Sequence, residues 1–349
     1  MRHLGIYLLL AGLSVGTVRA QIGGRHVYDF LNLPVSARQA ALGGINVSSQ
    51  DDDLLMAAQN PAAVNPSMHG RAGLTYSGYL AGIRYGFTAY SRTWEKIGSF
   101  YTGIQYLTSG EMQGADELGN LTETFSAGEF AWVTGYSRAW RQFRYGGSLK
   151  LISSSLAPGF TSLGIAADLG GSYKSKSELF VAGLVVRNAG LQLTTYTGTG
   201  AREPLPFEIV AGVSNKLKYM PLRFSITATN LDQPRLIYRD PNPEPEYDLS
   251  GNLIEPKSQF SELIFRHFVF STEFLLGDFL RLRAGYNHLR RQELRAVNRG
   301  GMTGFSLGAG IRAGRLALDY GFSSYGLSSA FSTHQVSLGL GLTRPEQTK

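Results

Sequence analysis

The chain has 349 residues, a formal net charge of +7 and no cysteine. Without cysteine it carries neither disulfide staples nor thiolate chemistry. Its 43 glycines, 19 phenylalanines and 18 tyrosines, at a mean hydropathy of −0.09, argue against an α/β enzyme and suit strands that alternate an outward apolar residue with a small or polar inward one.

Residues 1–20 read as a secretory signal peptide. Arg2 and His3 give a polar start, Leu4–Val15 is an apolar run too short to span a bilayer, and Val18-Arg19-Ala20 ends on a small residue. Cleavage after Ala20 removes Arg2 and Arg19 and lowers the formal charge from +7 to +5. No later run of 18 apolar residues appears, so no transmembrane helix is predicted.

Residues 21–70 read as a compact, polar, partly helical segment. Ser36 is placed to cap a short helix that ends at Gly43-Gly44, where glycine suits the left-handed position after the last turn. Asp51 or Asp52 is expected to cap a second helix that stops before Asn60-Pro61. The run Asp51-Asp52-Asp53 is the one acidic cluster. A cation site and helix capping are both open to it; the ligands lack the spacing of a calcium loop, which favours capping.

From residue 71 to residue 342 the pattern changes to a period of two, the signature of strands. In 305–311 Phe305, Leu307, Ala309 and Ile311 share one face, and Arg312 continues the other. In 222–228 Leu222, Phe224, Ile226 and Ala228 oppose Arg223, Ser225 and Thr227. In 280–286 Leu280, Leu282, Ala284 and Tyr286 oppose Arg281, Arg283 and Gly285. Strands are predicted at 71–79, 82–92, 97–107, 124–138, 142–154, 161–174, 178–188, 206–217, 221–231, 260–275, 279–289, 301–312, 315–323 and 331–342. This is an all-β chain of about fourteen antiparallel strands. So much strand is comfortable only in a closed transmembrane β-barrel, which has no unpaired edge.

The connections alternate. Short ones fall near 93–96, 141, 174–176, 218–220, 277–278 and 313–314; longer ones fall at 108–123, 155–160, 189–205, 232–259, 290–300 and 324–330. Outer-membrane barrels have short periplasmic turns and longer extracellular loops, and an even strand number leaves both termini in the periplasm. Trp94 and Trp140 sit beside two short turns, where an interfacial aromatic girdle belongs. Residues 343–349 form a periplasmic tail that lacks the terminal aromatic common in such barrels.

Catalytic groupings are missing from the sequence. It contains no HExxH and no phosphate-binding loop before a helix, and no cofactor, resident metal or nucleic-acid partner is expected. His334 and Asp319 are placed to meet on neighbouring strands, most simply as a hydrogen-bonded pair in the lumen. Two loops are candidate contact surfaces. Residues 232–259 are proline-rich and charged, with Arg235, Tyr238, Arg239 and Tyr247 as candidate partner contacts. Residues 287–301 carry Arg290, Arg291, Arg295 and Arg299, suited to anionic lipopolysaccharide phosphates if not simply solubilising.

Residues 23–44, GGRHVYDFLNLPVSARQAALGG, followed by 51–64, DDDLLMAAQNPAAV, resemble the PorV/PorQ outer-membrane proteins of the type IX secretion system of Bacteroidetes. These belong to the wider FadL-like group of barrels. The core of the resemblance is Ser36-Ala37-Arg38, Leu42-Gly43-Gly44, the Asp run and Asn60-Pro61-Ala62; 183–190 and 205–217 are also similar. The resemblance implies a non-catalytic fourteen-stranded barrel. It would anchor a PorZ-like surface protein and act beside PorU and PorV in cargo processing and coupling to lipopolysaccharide. The alternative within the same fold is a FadL-like transporter of long-chain fatty acids or other hydrophobic molecules.

A barrel this wide needs something inside, because about eight strands already fill an interior with side chains. Residues 21–70 are therefore expected to act as a luminal plug, facing Arg223, Arg281, Arg283 and Arg312.

Overall fold

A computed structural model of the chain describes residues 26–79, 82–115, 118–198, 200–234, 236, 260–294, 301–325 and 332–342. The signal peptide, most of the 232–259 loop with Arg235, Tyr238, Arg239 and Tyr247, the pair Arg295 and Arg299, and the 343–349 tail lie outside the described residues.

The strands are β1 (Arg71–Gly78), β2 (Arg84–Trp94), β3 (Gly98–Ala115), β4 (Leu121–Trp140), β5 (Phe143–Ala157), β6 (Phe160–Lys174) and β7 (Phe180–Thr194). They continue as β8 (Glu208–Lys216), β9 (Leu222–Ala228), β10 (Phe268–Leu276), β11 (Leu280–Asn287), β12 (Phe305–Ala313), β13 (Leu316–Ser324) and β14 (Ser332–Gly341). Each pairs antiparallel with its sequence neighbours. β1 pairs with β14 from Arg71 opposite Gly341 to Gly78 opposite His334, closing a fourteen-stranded barrel. The all-β barrel fold read from the sequence is borne out.

The predicted alternation sets the faces. Phe305, Leu307, Ile311, Leu316, Leu318, Val336, Leu338 and Leu340 point outward and are exposed, as a lipid-facing wall requires. The residues between them, such as Ser306, Ser323, Gln335 and Ser337, point inward and are buried. Trp94 and Trp140 are also exposed, at 43% and 64%. Trp94 stacks edge-on against Phe100, which meets Tyr136; Phe143, Tyr173 and Phe180 form a second ring chain at the same end. An outward aromatic belt thus marks the end with the short turns. No helix among the described residues is long and apolar enough to cross a membrane.

Several boundaries differ from those read in the sequence. The supposed loop 108–123 is mostly strand, because β3 and β4 continue past a register shift after Thr108. The connection 155–160 shrinks to a tight turn between Ala157 and Phe160. The expected strand start at 260 is instead the helix Phe260–Phe265, with β10 opening only at Phe268. Residues His288–Leu294, read as loop, form another helix. In the first case Phe260, Leu263 and Ile264 stand at helical spacing just before a strand, and the period of two masks them.

Candidate functional site

The lumen is occupied by the N-terminal segment. Residues 26–34 lie at the loop end, where Val27 N–H donates to Pro204 O at 3.0 Å and the Phe30 carbonyl accepts from Gln105 Nε2 at 2.7 Å. Tyr28, Phe30 and Leu31 fill an apolar cluster with Ala131, Ile152, Ala166 and Leu205. The chain then forms the helix Ala37–Ala41, descends along β7 and β8, and reaches the short-turn end at Asp51.

The helix ends follow the residue chemistry. Ser36 Oγ accepts from Gln39 N at 3.0 Å, and Gln39 Oε1 accepts from Val35 N at 2.8 Å, so the N-terminal amides are met locally. At the other end Gly44 N–H reaches Gln39 O and Gly43 N–H reaches Ala40 O, with both glycines at positive φ of 98° and 92°. This paired 6→1 and 5→2 closure needs a left-handed residue. The second helix is Leu54–Ala57, and its cap is Asp53, whose Oδ1 accepts from Met56 N. The expectation that Asp51 or Asp52 caps it is corrected: both have turned to arginines. Asn60 caps the 3-10 turn Pro61–Ala63 and also ties it to Val47 O.

Backbone proximity explains the glycine content. A Cβ on Gly183 would sit 2.1 Å from Val47 O, and one on Gly321 would sit 2.2 Å from Ala37 O. The plug backbone lies directly against the wall at both places, closer than any side chain allows. Ser337, Ser323 and Ser214 on the wall donate or accept at plug backbone groups over 2.7–3.0 Å.

The centre of the site is a charge network. Arg38, 0% exposed, gives Nε and Nη2 to the two oxygens of Glu273 at 2.9 Å each, in the fork geometry that suits guanidinium and carboxylate. Its Nη2 also meets Asp51 at 2.7 Å and its Nη1 meets Asp53 at 3.3 Å. Glu273 on β10 stands directly opposite Arg223 on β9 and Arg283 on β11 in the strand register. Arg223 bridges Asp51 at 2.9 Å and Glu273 at 3.0 Å; Arg283 bridges Glu273 at 3.1 Å and Asp319 at 2.5 Å. Asp52 is held by Arg71 at 2.7 Å and by Arg312. Burial would push the Asp51 carboxyl up, but Arg38 and Arg223 hold it well below the ordinary carboxylate range. Burial acts the same way on Asp52, and Arg312 and Arg71 outweigh it, leaving that carboxyl lowered. Burial opposes the Arg38 charge, yet Glu273, Asp51 and Asp53 keep the guanidinium firmly protonated.

Of the predicted site residues, the structure brings together Arg38, Asp51, Asp52, Asp53, Arg223, Arg283 and Arg312. Arg281 faces the same region without an ion pair among the described residues. The pairing of His334 with Asp319 is corrected. Asp319 is inward on β13, whereas His334 is outward on β14 and contacts Tyr320 Oη at 2.7 Å. Arg290 is not turned to the surface as a lipopolysaccharide contact: it lies over the Tyr325 ring at 4.4 Å and against Gly43 O of the plug. Arg291 is bound to the carbonyls of Gly301 and Thr303 in its own loop.

Two features of the site escape the sequence reading. Glu273 is one; it is the sole acid of β10, and the tight turn at 277–279 already places it opposite Arg283. The other is a bulge in β7, where Arg187 and Asn188 oppose the single Asp168. Asn188 adopts φ 54° and its amide donates to Asp168 Oδ1 at 2.8 Å. Lys150 meets Asp168 at 2.8 Å and Asn188 Oδ1 at 2.7 Å, while Arg187 joins Glu208 at 3.1 Å and Leu31 O at 3.2 Å. This second network anchors the upper plug.

Fold and site together define a closed antiparallel barrel with a plugged lumen, of the kind found among outer-membrane channels. No protein-family model matches the chain, and no curated protein matches it. Among solved structures, the TodX monoaromatic hydrocarbon channel in a ΔS2 mutant form is similar at TM-score 0.53 and 13% identity, over 89% of this chain and 98% of that one. A Pseudomonas aeruginosa FadL homologue is similar at TM-score 0.47 and 12% identity, over 88% of this chain and 98% of that one. The CymD monoaromatic hydrocarbon channel is similar at TM-score 0.46 and 14% identity, over 90% and 97%. At these identities the likeness to TodX is one of fold alone. Nothing in these comparisons supports the narrower resemblance to PorV and PorQ.

Proposed function

We propose that the chain is a non-catalytic outer-membrane channel for hydrophobic molecules, of the FadL type, reaching its membrane through the periplasm after loss of the signal peptide. The observation that carries this reading is the lumen itself. A fourteen-stranded wall holds a separate N-terminal plug, and Tyr28, Phe30 and Leu31 of that plug meet an apolar cluster near the loop end. An apolar interior at the loop end suits hydrophobic molecules, and the plug serves as a stopper that keeps ions from leaking. The likeness to TodX, named for a monoaromatic hydrocarbon channel, supports the reading at the level of fold. The test is uptake of a monoaromatic hydrocarbon and of oleate by cells carrying the chain in a channel-deficient outer membrane. Uptake above the empty-vector rate for at least one is expected; background rates for both, with correctly inserted protein, would end the proposal.

One observation favours a second reading, a docking subunit of a type IX attachment complex beside PorU and PorV. β2 pairs with β3 only up to Thr108, and β5 pairs with β4 only from Gly128, so the hairpin 109–127 stands free at the loop end. A projecting hairpin and the long 232–259 loop suit a PorZ-like partner. Deleting 235–257 or shortening the hairpin is then expected to release that partner and leave the barrel heat-stable. Unchanged recovery in pull-downs from both deletions would remove this reading.

A further inference from the structure

We propose that the short-turn mouth of the lumen holds a binding site for an oxyanion group, a carboxylate or phosphate, centred on Arg281. Arg38, Arg71, Arg223, Arg283 and Arg312 share the carboxylates of Asp51, Asp52, Asp53, Glu273 and Asp319, five cations against five anions. Arg281 lies in the same region, with Arg312, Arg38, Asp51 and Glu273 as its charged neighbours, and stands outside this balance. Its Nε and Nη1 are enclosed and have no hydrogen-bond partner among the described residues. Enclosed guanidinium donors call for an acceptor, since leaving them unmet costs more for a charged group than for a neutral one.

The surroundings say which acceptor fits. Arg281 lines a recess of about 480 Å³ together with Arg223, Lys216, Lys218, Asp51 and Asp278. Of its two acids, Asp51 is already shared between Arg38 and Arg223, and Asp278 sits exposed in the turn before β11. Lys216 and Lys218 are exposed at the rim, the latter with its ammonium 5.1 Å from the Tyr219 ring centroid. The recess is therefore net positive, open to the short-turn side, and lined by the Arg281 guanidinium, a group suited to a planar or tetrahedral oxyanion. Water meets the hydrogen-bond need but not the charge; an oxyanion meets both. The recess has room for a head group with a short stem. The site stands on these residues alone, whatever the barrel carries.

The test uses the full chain purified in a neutral detergent and titrated calorimetrically at low salt with three probes: inorganic phosphate, acetate and decanoate. One saturable site per chain is expected for phosphate or for decanoate. Binding of phosphate and acetate assigns the site to free ions; binding of decanoate without acetate assigns it to the head of an amphiphile. Arg281→Gln is expected to weaken that binding at least about tenfold, and Lys216→Gln/Lys218→Gln about threefold, with roughly 0.5 M NaCl reducing it in the wild type. Arg281→Gln is also expected to melt no lower than the wild type, because Arg281 makes no ion pair among the described residues and stands beside the like charges of Arg312 and Arg38. Should Arg281→Gln fail to fold, the double lysine variant decides alone. No saturable binding of any probe to the wild type, or equal affinity in the variants that fold, would overturn the proposal.

Discussion

Arg38 of the plug and Glu273 of β10 meet through two hydrogen bonds of 2.9 Å, joining a helix near the start of the chain to a strand 235 residues later. Both side chains are buried, at 1% and 2% side-chain exposure. Such a pair draws its net value from full pairing on every side, because two charges taken from water must recover a large solvation loss. Glu273 supplies that pairing to Arg38, Arg223 and Arg283 at once.

Glu273→Gln therefore leaves three guanidiniums short of one carboxylate. The expected cost is about 3–5 kcal/mol, the usual result of breaking a buried ion pair from one side. Urea unfolding in lipid vesicles measures it, and a loss under about 1 kcal/mol would contradict the role given to this residue. Replacing Arg38 and Glu273 together by Met is expected to cost less than the sum of the single replacements.

Acid should loosen the lower plug, and the sign follows from the direction of the shifts. The Asp51 and Asp52 carboxyls are lowered in the folded chain from an ordinary value of 3.8. Their contribution is fully present above that value and is lost as pH falls through the lowered folded values. Protease cleavage within 45–70 and single-channel conductance are expected to stay flat from about pH 8 to pH 5 and to rise only below about pH 4. Asp52→Asn, which weakens the hold of Arg71 and Arg312, is expected to show partial loosening already at neutral pH. Triple replacement Asp51/Asp52/Asp53→Ala with unchanged conductance and unchanged melting would refute the plug's anchoring by these acids.

Gly183→Val and Gly321→Val place methyl groups where plug carbonyls already lie. Neither position has a positive φ, so the effect isolates close approach from backbone strain. The barrel is expected to insert and keep its heat-modifiable mobility, while the plug is pushed off the wall and becomes open to protease. An intact, protected plug in both variants would mean the wall yields instead.

The β7 bulge offers a separate test. Asn188 holds a left-handed backbone and donates its amide to Asp168. Asn188→Gly and Asn188→Val both remove the side-chain bonds to Lys150 and Pro206, but only the Val variant adds backbone strain, about 1–3 kcal/mol, and it is expected to melt lower. Equal melting of the two variants would show that the bulge carries no strain.

Much of the fold is legible because parity is a strong code. Each strand with a buried inner face and a lipid-facing outer face must alternate, and one slip would invert it. The alternation of β14, with Val336, Leu338 and Leu340 outward, already puts His334 on the outer face, so its separation from Asp319 is readable from parity alone. The caps at Ser36 and Asn60 are legible for a local reason, since each bonds within three residues. Asp53 is hidden because three consecutive acids are equivalent to a local reading. Only the distant Arg223 and Arg312 decide which of them turn away from the helix. Glu273 is half legible: the turn to β11 fixes its pairing with Arg283, but its bond to Arg38 depends on where the plug docks.

The plug runs from the loop end to the short-turn end before β1 begins, and its partners arrive late in the sequence. Ala37 waits for Ser337, 300 residues downstream, and Arg38 waits for Glu273. Contacts of such separation form slowly, after the chain between them is ordered. The N-terminal segment is thus the first part of the mature chain to be made and the last to find its seat. The β1–β14 seam and the plug's docking are expected to complete in one late step of assembly.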